Sequence, residues 1–262
     1  MTSKSSKKAL ARNGDDPLCG FATAALKQVA ADRLSGTNSR ANIDVLPYFW
    51  SLVGARDYDG PDQTMVALAE AKIAPETVLE ILIPELATQI GGQWLSDDMS
   101  WSTVTIISSR LQTLAWRYID PMMVEMSANS DAPSVLMVVP EGETHTLSGV
   151  LAVGTLIRNG VNVIGLFGEP DDRVFSIAGD GAFDTIGVST SGVGGRDRLA
   201  SLISGLQACA KDAALAIGGP ISECNPQMVQ QLLGISHKVN NESLTALLPN
   251  QLNKGRKSAL TV

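Results

Sequence analysis

From Pro133 onward, four short runs rich in Val and Ile alternate with longer stretches of helical pattern. The runs are Val135–Val139, Val161–Phe167, Thr185–Ser189 and Ala213–Ile217, each bounded by Gly or Pro. Short, nearly continuous apolar runs of this kind are predicted to be strands buried on both faces. The helical stretches between and after them are Thr146–Arg158, Asp171–Ile177, Arg196–Ala210 and Pro226–Leu233. Ile235–Val239 is expected to add a fifth strand, and Leu244–Leu252 a last helix. Strand–helix alternation at this spacing requires a parallel sheet with helices on both faces. In such sheets ligands bind beyond the carboxyl ends of the strands, so the residues just after each strand are the ones to inspect.

Before Asn129–Pro133 the periodicity is helical throughout. Ile107, Leu111, Leu114, Tyr118 and Met122 recur at steps of three and four and share one helix face, with Ser100 or Ser102 as cap and Pro121 near the end. Val78, Ile81, Leu82, Leu86 and Ile90 repeat that pattern within Pro75–Trp94. There Pro84 is expected to kink or restart the helix and Gly91-Gly92 to loosen its end. Asp62–Ala71 and Ile43–Leu52 are shorter helices. The fold expected is therefore α/β: a bundle of about four helices, then a doubly wound parallel sheet of the flavodoxin-like Rossmann kind. The implied division is a basic tail over 1–14, a helical domain over 15–128, an α/β domain over 134–250 and a second basic tail over 251–262.

The charge distribution narrows the partners. All seven basic residues of the two tails (Lys4, Lys7, Lys8, Arg12, Lys254, Arg256, Lys257) lie in segments without an acid. Their removal leaves 13 basic against 27 acidic residues between Asp15 and Asn250, a body near −14. Affinity for duplex DNA comes largely from cationic contacts to phosphate, so tight direct binding is not expected of the chain alone. The tails read as solvated ends. With 44% apolar and 18% charged residues the chain is not disordered throughout. No apolar run is long enough to span a bilayer, and Met1–Gly14 has no apolar core of a secretory signal. The scattered Cys19, Cys209 and Cys224 suggest neither disulfides nor a thiolate metal site, and a cytoplasmic location is expected.

Three strand ends supply the chemistry. After the first strand comes Pro140-Glu141-Gly142-Glu143-Thr144-His145-Thr146-Leu147-Ser148-Gly149; after the third, Ser189-Thr190-Ser191-Gly192-Val193-Gly194-Gly195; after the fourth, Gly218-Gly219-Pro220. A histidine with an acid two residues earlier matches the arrangement in which one ring nitrogen binds a metal and the other donates to a carboxylate. Glycine clusters let backbone approach a flat or bulky ligand. Other sites fit poorly. Gly192–Gly195 lacks both dinucleotide and P-loop spacing, and His145 and His237 are the chain's two histidines, too few for zinc. No Gly-x-Ser-x-Gly elbow accompanies Ser189 or Ser191, and a phosphoryl-acceptor receiver would need Asp where Ser189 stands. The residues also have plain structural roles open to them. Ser189 and Ser191 can end a strand and cap a helix, Glu143 can sit at a helix N-terminus, Trp94 and Trp101 can fill a bundle core, and His237 lies in a polar segment.

A helical bundle followed by a strand, an Asp/Glu-x-His turn, and then Ser and Gly-Gly after later strands resembles the cobalamin-binding module over roughly Asp59–Leu248. Methionine synthase, corrinoid methyl carriers and photoreceptive transcription regulators share that module. The resemblance implies His145 as lower axial cobalt ligand, Glu143 as the acid behind it, and Ser189 bonding the displaced nucleotide tail. Gly218 and Gly219 would flank that tail, and Trp94, in Ile90-Gly91-Gly92-Gln93-Trp94, would cover the upper face. Ser148 stands where the common Asp-x-His-x-x-Gly turn has its glycine, with Gly149 one later; Ser191 replaces a usual Leu and Gly195 a further Ser. Within the module the chain most resembles the AerR/PpaA type of cobalamin-binding antirepressor, by Gly142-Glu143-Thr144-His145-Thr146-Leu147 and its acidic body. The light sensors of the group often carry Glu-His ten and eleven residues after that Trp, where this chain has Val104-Thr105. The hydroxo or aquo form of cobalamin is therefore expected rather than the adenosyl form.

The resemblance implies a light- or redox-responsive regulator of photosynthesis genes, without enzymatic activity, that acts on a DNA-binding repressor of the PpsR/CrtJ type. The alternatives are a corrinoid methyl carrier, disfavoured by Glu143 and Gly195, and a chain that keeps the fold without binding a corrin.

Overall fold

A computed structural model of the chain describes residues 39–126, 132–192 and 194–233. The two tails, Cys19, His237, the fifth strand and the last helix expected from the sequence lie outside these residues, as does most of the Asn129–Pro133 junction. Helix α1 spans Ser39–Val53, α2 Pro61–Glu70 and α3 Pro75–Thr77. The five residues Val78–Leu82 follow with the wider π hydrogen bonding, and lead into α4, Ile83–Leu95. The longest helix, α5, is Trp101–Met126. Then come β1 (Ser134–Val139), α6 (Leu147–Arg158), β2 (Asn162–Phe167), α7 (Asp171–Asp180) and β3 (Thr185–Ser189). The described part closes with α8 (Gly195–Cys209), β4 (Ala214–Gly218), α9 (Ile221–Cys224) and α10 (Pro226–Leu233).

The four strands form one parallel sheet in the order β2-β1-β3-β4. Side chains alternate between its faces, as the two-residue period of a strand requires. Leu136, Val138, Ile186, Val188 and Ile217 face α7, α8 and α10, where Val174, Leu202 and Val229 complete one core. Val135 and Met137 face the opposite way, into a second core that runs through Val150, Val153 and Leu156 of α6 and on to Leu111, Leu114 and Ile119 of α5. Helix α6 is apolar all round because it is covered on both sides, by the sheet and by the helices that precede it.

Those preceding helices follow the sequence pattern with two differences, at Ile81 and at Gly91-Gly92. Ser100 is the cap of α5: its Oγ accepts the Thr103 N–H at 3.2 Å. Pro121 lies inside α5 near its end, as expected, and the helix continues to Met126. Pro84 falls in the first turn of α4, where its missing N–H does no harm, and the restart takes the form of the π turn before it. Positions 78, 82, 86 and 90 step by four, which in a pure α-helix drifts around the cylinder; the wider π turn keeps them facing one core. Ile81 is only half-buried, while Leu79 and Ile83 are buried in its stead. Gly91-Gly92 does not loosen the helix, which runs through both to Leu95, anchored by Leu86 and Ile90 in the core.

Cross-links pin this helical layer. Arg158 at the end of α6 pairs with Glu80 of the π turn. Arg110 donates to Val53 O at 2.7 Å and Ala55 O at 2.8 Å, capping the end of α1, and lies 4.3 Å from the centre of the Tyr58 ring. Trp116 of α5 meets Phe167 at the end of β2 edge to face, with ring centres 5.1 Å apart. Among the described residues no helix is long and apolar enough to cross a membrane.

Candidate functional site

The strand order fixes where a ligand can sit. From β1 the chain moves outward to β2; from β3 it moves the other way to β4. The connections thus diverge at the carboxyl ends of β1 and β3 and leave a crevice there. The segment after β1 carries Glu143 and His145, and the segment after β3 carries Thr190 and Ser191.

Glu143 is the centre of this crevice, with its side chain only 1% exposed. Its Oε2 accepts the Ser191 N–H at 2.6 Å and the Thr190 hydroxyl at 2.9 Å. Its Oε1 accepts the His145 N–H and the Ser191 hydroxyl, both at 2.9 Å. Burial pushes the carboxyl up, but the bonds from His145 and Ser191 outweigh it and hold the group well below its ordinary 4.5, at about 2. Glu143 is therefore a fixed anion that ties the end of β1 to the end of β3.

His145 leans on that anion. Its Nδ1 lies 3.3 Å from Glu143 Oε1 and 3.3 Å from Thr144 Oγ1. An ionised carboxylate can only accept, so the ring nitrogen facing it is the donor, and in the neutral ring the lone pair is then on Nε2. The ring is 48% exposed while its supporting acid is buried. An imidazole held at one nitrogen by a buried carboxylate and open at the other is suited to bind a metal from the solvent side.

The remaining predicted residues gather beside this pair. Ser148 Oγ lies 3.1 Å from Ser189 Oγ, and the Ser189 residue is 4% exposed. A Cβ on Gly149 would lie 2.5 Å from Val139 Cγ2 and 3.5 Å from Ser189 Cβ, so only glycine lets α6 come this close to the sheet. Gly219 has φ +79°, and a Cβ there would meet Thr190 N at 2.8 Å and Ser189 Oγ at 2.9 Å. Gly218 O accepts the Thr190 N–H at 3.1 Å, which locks the ends of β3 and β4 together. Ser148, Gly149, Ser189, Ser191, Gly218 and Gly219 thus converge with Glu143 and His145 at one sheet edge. Ser189 is closed off by Ser148 rather than open to solvent.

Trp94 takes no part in this hydrogen-bond network. It sits on the last turn of α4, 39% exposed, and the turn to α5 is closed by Asp98 and Met99 N–H groups donating to Gln93 O. The start of α5 lies at the same end of the molecule as His145. Thr146, next to His145, donates its hydroxyl to Gln112 Oε1 of α5 at 2.7 Å. Further along, a Cβ on Gly154 of α6 would lie 2.9 Å from Ile119 Cδ1 of α5. Residue numbers rise together in these two contacts, so α5 and α6 run side by side in the same direction. The part of α5 before Gln112 therefore extends past the start of α6 and beyond the carboxyl edge of the sheet.

The chain is 32% identical over 155 residues to the uncharacterized 20.5 kDa protein in the bchF-crtJ intergenic region of Rhodobacter capsulatus, across 58% of this chain and 79% of the relative. It belongs to the family of that protein. No family model matches the chain.

Two site residues escaped sequence reasoning. Thr190 supplies a hydroxyl to Glu143, and its own Oγ1 accepts the Gly192 N–H at 3.0 Å, which shapes the loop after β3. Gln112 joins the helical layer to the His145 turn. The signal for Thr190 was available, since it directly follows a strand next to β1. Gln112 had none, because its partner lies 34 positions away on another element. Around the crevice, Arg198 of α8 is held by both carboxylate oxygens of Asp171, with Nη2 to Oδ1 at 2.8 Å, which joins the starts of α7 and α8.

Proposed function

We propose that the protein binds a cobalamin at the carboxyl edge of the sheet, with His145 Nε2 as the lower axial ligand of cobalt. We further propose that the loaded protein regulates photosynthesis genes by binding a DNA-binding repressor, without catalysing a reaction. The observation that carries this reading is the buried, ionised Glu143, anchored by Thr190 and Ser191 and turned toward Nδ1 of an exposed His145. Among the described residues no three His, Cys, Asp or Glu side chains come together. Both oxygens of Glu143 already accept hydrogen bonds, so His145 Nε2 is the donor this pair leaves for a metal. Such a site suits a metal that brings its own equatorial ligands, as cobalt does in a corrin, and needs only one more from the protein.

Glu143 would accept from Nδ1–H, which fixes the tautomer and ring orientation in which Nε2 is the nitrogen free to bind the metal. Ser189 would bond the nucleotide tail, flanked by Gly149, Gly218 and Gly219. Because Ser148 Oγ holds Ser189 Oγ, seating the tail requires that contact to open and α6 to ease away from the sheet. The helices α1 to α5 would serve as the cap. At Thr105, where the light sensors that the chain resembles place His, no imidazole is offered. The hydroxo or aquo form is therefore the one proposed, with an upper ligand that light or redox state can exchange. The regulatory half of the reading is supported by the relative encoded between bchF and crtJ and by a body too acidic for duplex DNA.

The test is titration of the purified chain with hydroxocobalamin. About one corrin per chain is expected, with the visible bands shifted by imidazole coordination. His145→Ala should abolish that shift, and Glu143→Ala should weaken binding roughly tenfold to a hundredfold. An unchanged spectrum and affinity in His145→Ala would refute the assignment. An uncoloured wild-type protein would leave a fold that has no corrin site.

A further inference from the structure

Trp101 is the most exposed large apolar residue described, at 70%. It begins α5 in a stretch without charge: from Met99 to Ser109, between Asp98 and Arg110, the chain has neither acid nor base. In a body near −14, this tryptophan and the uncharged turns that follow it stand out as the part of α5 best suited to a neutral, flat ligand.

The geometry of α5 shows which way this surface faces. From Trp101 to Ile119 the helix makes about five full turns, so the two residues lie on one line along it. Thr105, Ser108 and Gln112 fall within roughly 40° of the same line. The lower end of that stripe faces α6: Ile119 packs against Gly154, and Gln112 accepts from Thr146. Exposure rises steadily along the stripe, from buried Ile119 through half-buried Gln112 and Ser108 to exposed Thr105 and Trp101. The gradient has a simple cause. Helix α6 starts at Leu147 and covers only the lower part, while Trp101 lies about 16 Å beyond Gln112 along the axis. The uncovered part of the stripe continues in the direction of the His145 turn, past the carboxyl edge.

We propose that Trp101, with Thr105 and Ser108, forms the wall of the crevice opposite His145 and packs on the far face of the bound corrin. This rests on the cobalamin reading above and assigns to Trp101 the covering role that the family resemblance gives to Trp94. A flat ring face with neutral edges needs an aromatic plane and uncharged hydroxyls, which is what the stripe presents. Because Trp101 is exposed without ligand, its removal leaves the fold intact and its effect is read on binding alone.

The experiment combines titration with oxidative footprinting of tryptophans by mass spectrometry, on the full chain with hydroxocobalamin as probe. Saturation is expected to slow Trp101 oxidation at least fivefold. Trp101→Ala should weaken binding tenfold or more while leaving the imidazole-dependent bands unchanged, and Trp101→Phe should recover most of the affinity. Wild-type affinity in Trp101→Ala, with Trp101 oxidised equally fast in loaded protein, overturns the assignment and leaves the His145 site standing. Protection of Trp94 in place of Trp101 does the same. A wild-type chain that takes up no corrin overturns both.

Discussion

Replacing Glu143 by Gln isolates the contribution of one buried charge. The carboxyl titrates at about 2 in the folded chain against 4.5 ordinarily. A carboxyl whose folded value is depressed favours the folded state above the ordinary value and loses that advantage as pH falls toward the folded one. The difference amounts to about 3 kcal/mol, present in full above about pH 4.5 and gone near pH 2. Glutamine keeps the shape of the protonated acid but cannot carry the charge, so it serves as a mimic of the low-pH state. Urea unfolding of the wild type and Glu143→Gln from pH 7 down to pH 2.5 therefore gives the linkage directly. The wild type should be more stable by about 3 kcal/mol at pH 7, with the gap closing through the interval from 4.5 to 2.5. A gap that stays constant across that interval would refute the claim that hydrogen bonds from His145 and Ser191 hold the acid ionised.

Gly149→Ala should destabilise the protein by about 1–3 kcal/mol, since the added methyl meets Val139 Cγ2 at 2.5 Å; thermal unfolding measures it. Leu114→Ala, at a fully buried position of α5, should cost about 2–5 kcal/mol in urea titration, with no change in the His145 turn seen by NMR. Ser148→Ala removes the partner that closes Ser189 and should speed corrin uptake in stopped-flow absorbance, while leaving the final spectrum as it is. Fluorescence anisotropy with labelled duplex DNA should show no tight binding by the chain alone; tight, salt-sensitive binding would point to the Lys4–Arg12 tail.

The strands were legible because Val and Ile runs between Gly and Pro leave little choice. Thr185–Ser189 appears as read, the first two strands differ by a residue at one end, and the fourth is shifted by one residue at both ends. The parallel arrangement followed from the helices between them, and with it the edge where Glu143 and His145 lie. What local pattern could not supply was anything set by packing. The π turn at Val78–Leu82 exists to keep a four-residue apolar step facing one core, a demand visible only once the core is assembled. The single turn Ile221–Cys224 is too short to show a period. Gly91-Gly92 read as a weak point, yet buried neighbours outweigh the propensity of roughly 1 kcal/mol per glycine. At the site, sequence spacing paired Glu143 with His145. It did not disclose that Thr190 and Ser191 are what fix Glu143, because those contacts span 47 and 48 positions.

Those same contacts bear on how a ligand at His145 can alter the molecule. The His145 turn is held on two sides, through Glu143 to the end of β3 and through Thr146 to Gln112 of α5. A ligand that binds only the turn gains nothing from moving either side. One that touches both the turn and the start of α5 favours whichever relative position gives it more contact, and only by the difference in affinity between the two. A ratio of affinities near 100 corresponds to about 2.7 kcal/mol, several times the free energy of one ordinary hydrogen bond such as Thr146 to Gln112. A ligand of that selectivity can break the Thr146–Gln112 bond, while the core that α5 shares with α6 holds the helical layer as a whole. Conversely, the Glu143 anchor, with five bonds to its carboxylate from the backbone and hydroxyls of the β3 end and the His145 N–H, resists displacement. The physical division of labour is a fixed acid and histidine on the sheet and, on α5, a first stretch that extends past the start of α6 while the rest is held in the core. A change of ligand on the proposed cobalt would then be read by a partner protein as a change in where α5 begins.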